Sequence, residues 1–599
     1  MSKHRTCTII FAGLLIAALP RAVFCTEYDI IVDGNLTRHG AIVGRSTRAG
    51  DCKDDRAFIL NGLYKFVYAG AGFRSPNARI HARLSMNKLG TTGAGVYVNG
   101  HWLTFDRAPG NKIGIDLQFS DDKKKIFAEA QGRIKPKVPF DVDILIKDGT
   151  LTLAINGEKL GQVESFPTAM ETVPSPDVAS VHKLGVITAI RSWRAHLKIY
   201  EFKVETDGPI VPLPETQTIY KSGSAKTNTY RIPALLVSKK GTLFAFAEAR
   251  RNSGGDTANI DTVVRRSEDN GMTWGDEIIV FDEQDNVAGN PCPVVDRSTG
   301  RIWSLQTWNS HKVHESQTKA GFGEDSRRVF VTYSDDDGRT WAKAKDITAS
   351  AKLPHWSWYA TGPGAGIQLQ RGTYRGRLII PCDHKALPEG GPQTYHSHIL
   401  YSDDHGETWH IGAQTGHGLN ECEAVELENG DLMLNSRNHG VDEFYRGVSI
   451  STDGGQSFSS FHRDPALLEP RCQASIRRYR WSEGDQPGII LFSNPARKWR
   501  DFLMLRMSYD DGKTWPDARI VFPYTTAYSD IAVLADGRIG VLFERDNHTK
   551  IDLAILPALT EKTNATSRHP RSQNRNPHSR ASYAWSRGVK CPISNGEVR

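Results

Sequence analysis

SYDDGKTW (Ser508–Trp515) is one of five copies of the same octapeptide. The others are SEDNGMTW from Ser267, SDDDGRTW from Ser334, SDDHGETW from Ser402 and a degraded STDGGQSF from Ser451, so successive copies start 67, 68, 49 and 57 residues apart. In each copy Ser and Asp can bond the local backbone, Gly supplies dihedrals that other residues avoid, and the closing Trp or Phe offers an apolar plug. That chemistry reads as a turn between two strands. Repetition at this spacing, between short strands and turn-rich joints, predicts β-propeller blades of four strands each, enlarged by insertions. The octapeptide then holds turns, and its repeated Asp is not a catalytic carboxylate.

The rest of the chain frames this region. At 599 residues it is too long for one ordinary core, and two or more domains are expected. The net charge of +7 is concentrated at the ends. Residues 561–599 carry eight Lys or Arg against two Glu, residues 1–25 carry Lys3, Arg5 and Arg21, and the body between is slightly acidic. No nucleic-acid partner is implied. MSKHRTCTIIFAGLLIAALPRAVFC places basic residues before an apolar run, Ile9–Leu19, that is short for a membrane span. This predicts a signal peptide over 1–25, no stable membrane span, and a secreted or periplasmic product. Eight scattered Cys, without a CxxC pair, specify neither a zinc site nor a bridge pattern.

From Tyr28 to Glu205 short alternating runs dominate. DVDILIK (Asp141–Lys147) and TLTLAIN (Thr150–Asn156) are joined through Asp148-Gly149, Asn156-Gly157 follows, and LKIYEFKVE comes later. These are hairpin signals and predict an antiparallel β-sandwich over 28–205. The segment resembles concanavalin-like or laminin-G-like jelly rolls, which often bind glycans. Tyr97, Trp102 and Trp193 are candidates for a sugar platform, with core packing or a domain interface as the competing role. A Pro-rich linker is expected at 206–216, the propeller at 217–559, and a basic disordered tail at 560–599.

The boxes occur together with YRIP (Tyr230–Pro233), LNECEAVEL, LNSRNHG, NPARKWRDFLMLRMS and TTAYSDIAVL. In this combination, Thr216–Leu559 resembles the exo-sialidases (neuraminidases) of the bacterial and animal type, a six-bladed β-propeller. The resemblance implies that Arg231, Arg437 and Arg500 bind the substrate carboxylate, a task suited to the rigid guanidinium fork. Its acid/base is implied to be Asp256, in a glycine-flanked loop, with Asp261 on the following strand as rival. The implied nucleophile is Tyr528, activated by Glu421. A neutral phenol avoids driving negative charge against the carboxylate on the anomeric carbon, and sialidases are known exceptions to the two-carboxylate rule. Spacing to the fifth box favours Arg500 over Arg497. The family's N-E-[CS] pattern favours Glu421 over Glu423 and Glu426, and the Y-S-D pattern favours Tyr528 over Tyr524. Glu544 is implied to orient Arg231, and Arg250 to lie near the carboxylate or 4-hydroxyl. Asn290 stands where several members have Asp near the sugar's amide or 4-hydroxyl.

The implied activity is retaining hydrolysis of terminal sialic acid from glycans, glycoproteins or glycolipids by a monomer without cofactor or catalytic metal. A trans-sialidase, a non-catalytic sialic-acid lectin and a hydrolase of a related 2-keto sugar acid such as Kdn are the alternatives. HExxH, Walker A and G-x-S-x-G motifs do not occur.

Overall fold

The computed structural model describes residues 26–559 apart from several short internal stretches, the longest being 167–187. The expected signal peptide, Trp193 and the basic tail lie outside the described residues.

The described chain is almost entirely strand. Up to Thr206 it forms two antiparallel sheets. One orders its strands as Glu158–Val163, Thr150–Ile155, Phe140–Lys147, Ala78–Met86, Ala195–Thr206 and Thr26–Val32, and the other centres on His101–Arg107, Gly95–Val98 and Thr188–Ser192. The predicted hairpin is present in full register from Val142↔Ile155 to Lys147↔Thr150. Its turn places Asp148 at φ 49° and Gly149 at φ 76°, the left-handed pair that suits the right-handed strand twist. Period-2 alternation then sends Val142, Ile144 and Ile146 into one apolar cluster with Val96, Leu103, Phe105 and Ile113 of the second sheet.

From Thr216 the chain forms four-stranded antiparallel units. Thr229–Val237, Leu243–Arg250, Ile260–Ser267 and Ile278–Phe281 make the first. Units of the same order begin at Val287–Val295, Trp356–Thr361, Leu419–Glu426 and Ser475–Arg480. The long strand Asp517–Val533 ends one unit with its first half and begins the last with its second half, which continues through Ile539–Arg545 and Lys550–Leu556. The outer position of that last unit is taken by Thr216–Lys221, so residues near 216 pair with residues near 554.

The octapeptides sit at the turn from third to fourth strand. Ser508 Oγ donates to Asp510 Oδ1 at 2.8 Å, and Asp510 accepts from the amide and hydroxyl of Thr514 at 2.9 and 2.7 Å. The same bonds recur at Asp269, Asp336, Asp404 and Asp453. The Thr273 hydroxyl and amide hold the Asp269 carboxyl at about 2, an ionised acceptor unsuited to donating a proton. Gly338 adopts φ 76°, and a Cβ there would fall 2.2 Å from the Phe244 ring. Trp409 and Trp515 are buried plugs between neighbouring units.

Candidate active site

The first strands of five units carry a pairing shift that skips two of their residues. The shifts fall between Arg231 and Ala234, Gly289 and Cys292, Trp356 and Tyr359, Leu419 and Cys422, and Thr526 and Ser529. A bulge re-aims the side chains within it, and these intervals hold or adjoin Arg231, Asn290, Trp358, Glu421 and Tyr528. Two of the bulges contain a proline, Pro233 and Pro291, which cannot donate to a ladder. Ile232 is held at φ 56°, a strained conformation for a β-branched residue. Its amide donates to Glu544 Oε1 at 2.9 Å, so the strained peptide is tied to a buried carboxylate.

Arg231, Arg250, Asp256, Asn290, Glu421, Arg437, Arg500 and Tyr528 line one pocket. Glu544 lies behind it, fully buried, and takes Arg231 Nε and Nη2 at 2.9 and 3.1 Å. Although burial works against its charge, Arg231 holds the Glu544 carboxyl down at about 2. Tyr528, 6% exposed, donates its phenol hydrogen to Glu421 Oε1. Arg437 Nη1 lies 2.6 Å from Glu421 Oε2 and 3.2 Å from the phenol oxygen. The guanidinium carbons of Arg231 and Arg500 stand 5.2 and 5.4 Å from the Tyr528 ring centroid. Burial and then Glu421 push the phenol well above its usual pKa, with Arg437, Arg500 and Arg231 acting against them. The proton therefore stays on the phenol until another charge change removes it.

Asp256 is the exposed member, with 61% of its side chain accessible. Arg250 Nη1 lies 2.7 Å from its carboxylate and 2.8 Å from the Gly254 carbonyl of the same loop. Desolvation opposes ionisation there, but Arg250 and then Arg231 hold the Asp256 carboxyl below the usual range.

The competing residues lie elsewhere. Asp261 pairs with Arg251 at 2.6 Å and, although burial pushes it up to about 6, it does not line the pocket. Glu423 accepts from Ser475 Oγ and the Ile476 amide inside the core, and Glu426 accepts from the amides of Gln370 and Arg371. Tyr524 packs on Phe522. Arg497 reaches the Tyr97 hydroxyl at 3.3 Å. Tyr97 is itself buried and packs at a tilt on Trp102, with ring centroids 4.6 Å apart, and its bond to Arg497 places it in the junction between the two regions.

Several lining residues have no motif around them. Glu248 bridges Arg250 and the Asn290 amide, and its position two residues before Arg250 on one strand was a legible signal of a shared face. Arg327, buried and 4.1 Å from the Trp358 ring, donates to the Asn290 side-chain oxygen. Asp383 accepts from Asn420 at 2.8 Å, and burial followed by Glu421 and Glu315 pushes it far above the carboxylate range. Tyr395 donates to Glu315 at 2.8 Å and packs on His439. Among the described residues no group of three His, Cys, Asp or Glu is arranged to hold a metal ion.

A model of the BNR repeat-like domain family matches residues 241–541. The chain is 34% identical to a sialidase of Micromonospora viridifaciens over 348 residues, 56% of this chain and 52% of that protein. It is 31% identical to a sialidase of Paraclostridium sordellii over 365 residues, 56% of this chain and 86% of that one. It thus spans about half the length of the Micromonospora relative. In fold it is similar to the Hadza microbial sialidase Hz136, with a TM-score of 0.55 at 22% identity over 86% of this chain and 98% of that one.

Proposed function

The chain belongs to the sialidase family, a BNR-repeat group, and from that premise we propose that it is a retaining exo-α-sialidase acting on terminal sialic acid of glycoconjugates. The observation that carries the reading is the hydrogen-bonded set of Tyr528, Glu421 and Arg437 at the floor of an arginine-lined pocket.

Arg231, Arg437 and Arg500 bind the carboxylate of the sugar. Glu421 accepts the phenol proton as the Tyr528 oxygen bonds to the anomeric carbon. The bond from that carbon to the aglycone oxygen breaks, and Asp256 gives that oxygen its proton. In the second half Asp256 takes a proton from water, the water oxygen attacks the anomeric carbon, and the departing phenolate recovers its proton from Glu421. Two displacements at one carbon retain configuration. The ion pair of Asp256 with Arg250 fits the second half as it stands. For the first half, the substrate carboxylate offsets the cationic field that depresses Asp256, and its carboxyl gains the proton it must donate.

The proposed architecture is a six-bladed β-propeller over 217–559, preceded by a jelly-roll-like sandwich over 28–205 and a linker at 206–216. It is supported by an apolar cluster confined to the first region and separate clusters in the second. The sandwich is proposed to hold glycan and raise the local concentration of substrate. Export through a signal peptide completes the reading.

Following hydrolysis of a sialoside by proton NMR tests the activity. The α-anomer of free sialic acid is expected first; β-anomer first, or no release by folded protein between about pH 4 and 8, contradicts it.

A further inference from the structure

The strands that carry Arg231, Asn290, Glu421 and Tyr528 into the pocket run on for three or four residues, ~10–13 Å, to a second cavity. Leu235, Val294, Val425 and Ile531 line it, and its volume is about 130 Å³. The two cavities share no lining residue. A buried polar layer lies between them: Ser475 Oγ stands 2.9 Å from Glu423 and 2.8 Å from Asp530, and Leu235 N donates to Asp530 at 2.7 Å.

The charged residues lining the second cavity are Arg297, Glu426, Arg477 and Arg478, and all but the first are matched. Glu426 accepts from the amides of Gln370 and Arg371, each at 2.7 Å. Arg478 Nη2 lies 2.7 Å from Asp511. Arg477 directs N–H groups at Ile531 O, Gly366 O, Ala365 O and Asp530 Oδ1, which leaves one Nη1 hydrogen. The Arg297 amide donates to Gln368 Oε1 at 2.7 Å, but its guanidinium donates to no group among the described residues. Burial and then the like charge of Arg477 push Arg297 below its usual pKa, with no acid acting the other way. A guanidinium held against apolar walls beside a second cation favours an arriving anion.

We propose that this cavity is a second ligand site, for a small monocarboxylate with a compact apolar body. The carboxylate takes the Arg297 fork and the remaining Arg477 hydrogen, a planar match suited to guanidinium. The body meets Leu236, Val294, Val425 and Ile531, which are all buried. An interior cavity of about 150 Å³ accepts benzene, so this one suits a single small ring or a short branched chain. A phosphate dianion would bring a second charge for which no free cation remains, and a polyhydroxylated sugar would meet mostly apolar walls. The site does not depend on the reaction proposed at the other end of the strands.

The probe is benzoate, titrated calorimetrically into the full chain, with benzyl alcohol and inorganic phosphate as controls. Wild type, Arg297→Gln, Arg297→Lys and Arg500→Gln are compared. Benzoate is expected to saturate the wild type and to bind about tenfold or more weakly to Arg297→Gln, with Arg297→Lys between them. Arg500→Gln, which alters the other pocket, should change this affinity less than about twofold. No saturable benzoate binding overturns the proposal, as does an affinity unchanged in Arg297→Gln. Binding lost in Arg500→Gln and kept in Arg297→Gln places benzoate in the arginine-lined pocket and also overturns it. So does benzyl alcohol or phosphate binding as tightly as benzoate. If Arg297→Gln does not fold, Arg297→Lys decides: weakened binding supports the site, and wild-type affinity overturns it.

Discussion

Tyr528 donates its only phenolic hydrogen to Glu421, and Arg437 touches both partners, at 3.2 Å from the phenol oxygen and 2.6 Å from the carboxylate. In the proposed reaction the base is thus already on the proton it would remove, and the guanidinium would stabilise whichever oxygen is negative. Glu421→Gln keeps the shape and removes the base. It should lower kcat by about two to four orders of magnitude, read from steady-state hydrolysis of a sialoside, with the thermal midpoint little altered.

Asp256 is exposed on its loop and held by Arg250. An acid matters most where the leaving oxygen is basic. Asp256→Asn should therefore reduce turnover of an alkyl sialoside by about two to four orders of magnitude, and that of a nitrophenyl sialoside far less. Equal losses on the two would assign Asp256 another role.

Arg250 also depresses the Asp256 carboxyl. In the proposed reaction the group must be protonated to act as acid, so kcat/KM should fall once pH exceeds its pKa in the free enzyme. Arg250→Gln should raise that pKa and move the alkaline limb of the kcat/KM profile to higher pH, whatever it does to the absolute rate. A limb that stays in place contradicts the coupling.

Glu544, fully buried, titrates at about 2 in the fold. Because the folded value lies below the unfolded one, near ~4.3, its stabilisation is complete above the unfolded value. It is lost as pH falls towards the folded value, and amounts to about 3 kcal/mol. Glu544→Gln should cost roughly 3 kcal/mol at neutral pH, since the half-buried Arg231 loses its carboxylate partner. Urea titrations at pH 7 and pH 3 should differ less for the variant than for the wild type.

Asp510 accepts three hydrogen bonds in its turn and lies outside the pocket. Asp510→Ala should lower stability by about 2 kcal/mol and leave kcat at 25 °C unchanged. A large loss of kcat in protein that is still folded would give the box a chemical role.

The boxes were readable because their bonds are local: Ser, Asp, Gly and Thr within seven residues make the whole turn. The last unit carries no copy for a topological reason. In the last unit the fourth strand is Thr216–Lys221, which comes from the start of the region, so no chain turn exists there to hold a box. Motif-borne residues such as Arg231 and Tyr528 were legible through their neighbours in sequence. Arg327, Asp383, Tyr395 and Trp358 were not, because only the closure of separate units brings them to one pocket and nothing beside them in the chain records it. Glu248 lay within reach of strand periodicity, at two residues from Arg250. Ile232 is the reverse case. Its left-handed backbone is unfavourable locally and is imposed by Glu544, more than three hundred residues away.

The proposed reaction turns on attack of the Tyr528 oxygen at the anomeric carbon. Tyr528→Phe removes that one atom and keeps the ring between Arg231 and Arg500. Sialoside turnover and calorimetric binding of free sialic acid, measured on the same folded variant, test it most directly. Turnover should fall by at least about a thousandfold with affinity within about threefold of wild type. Turnover close to wild type would contradict it.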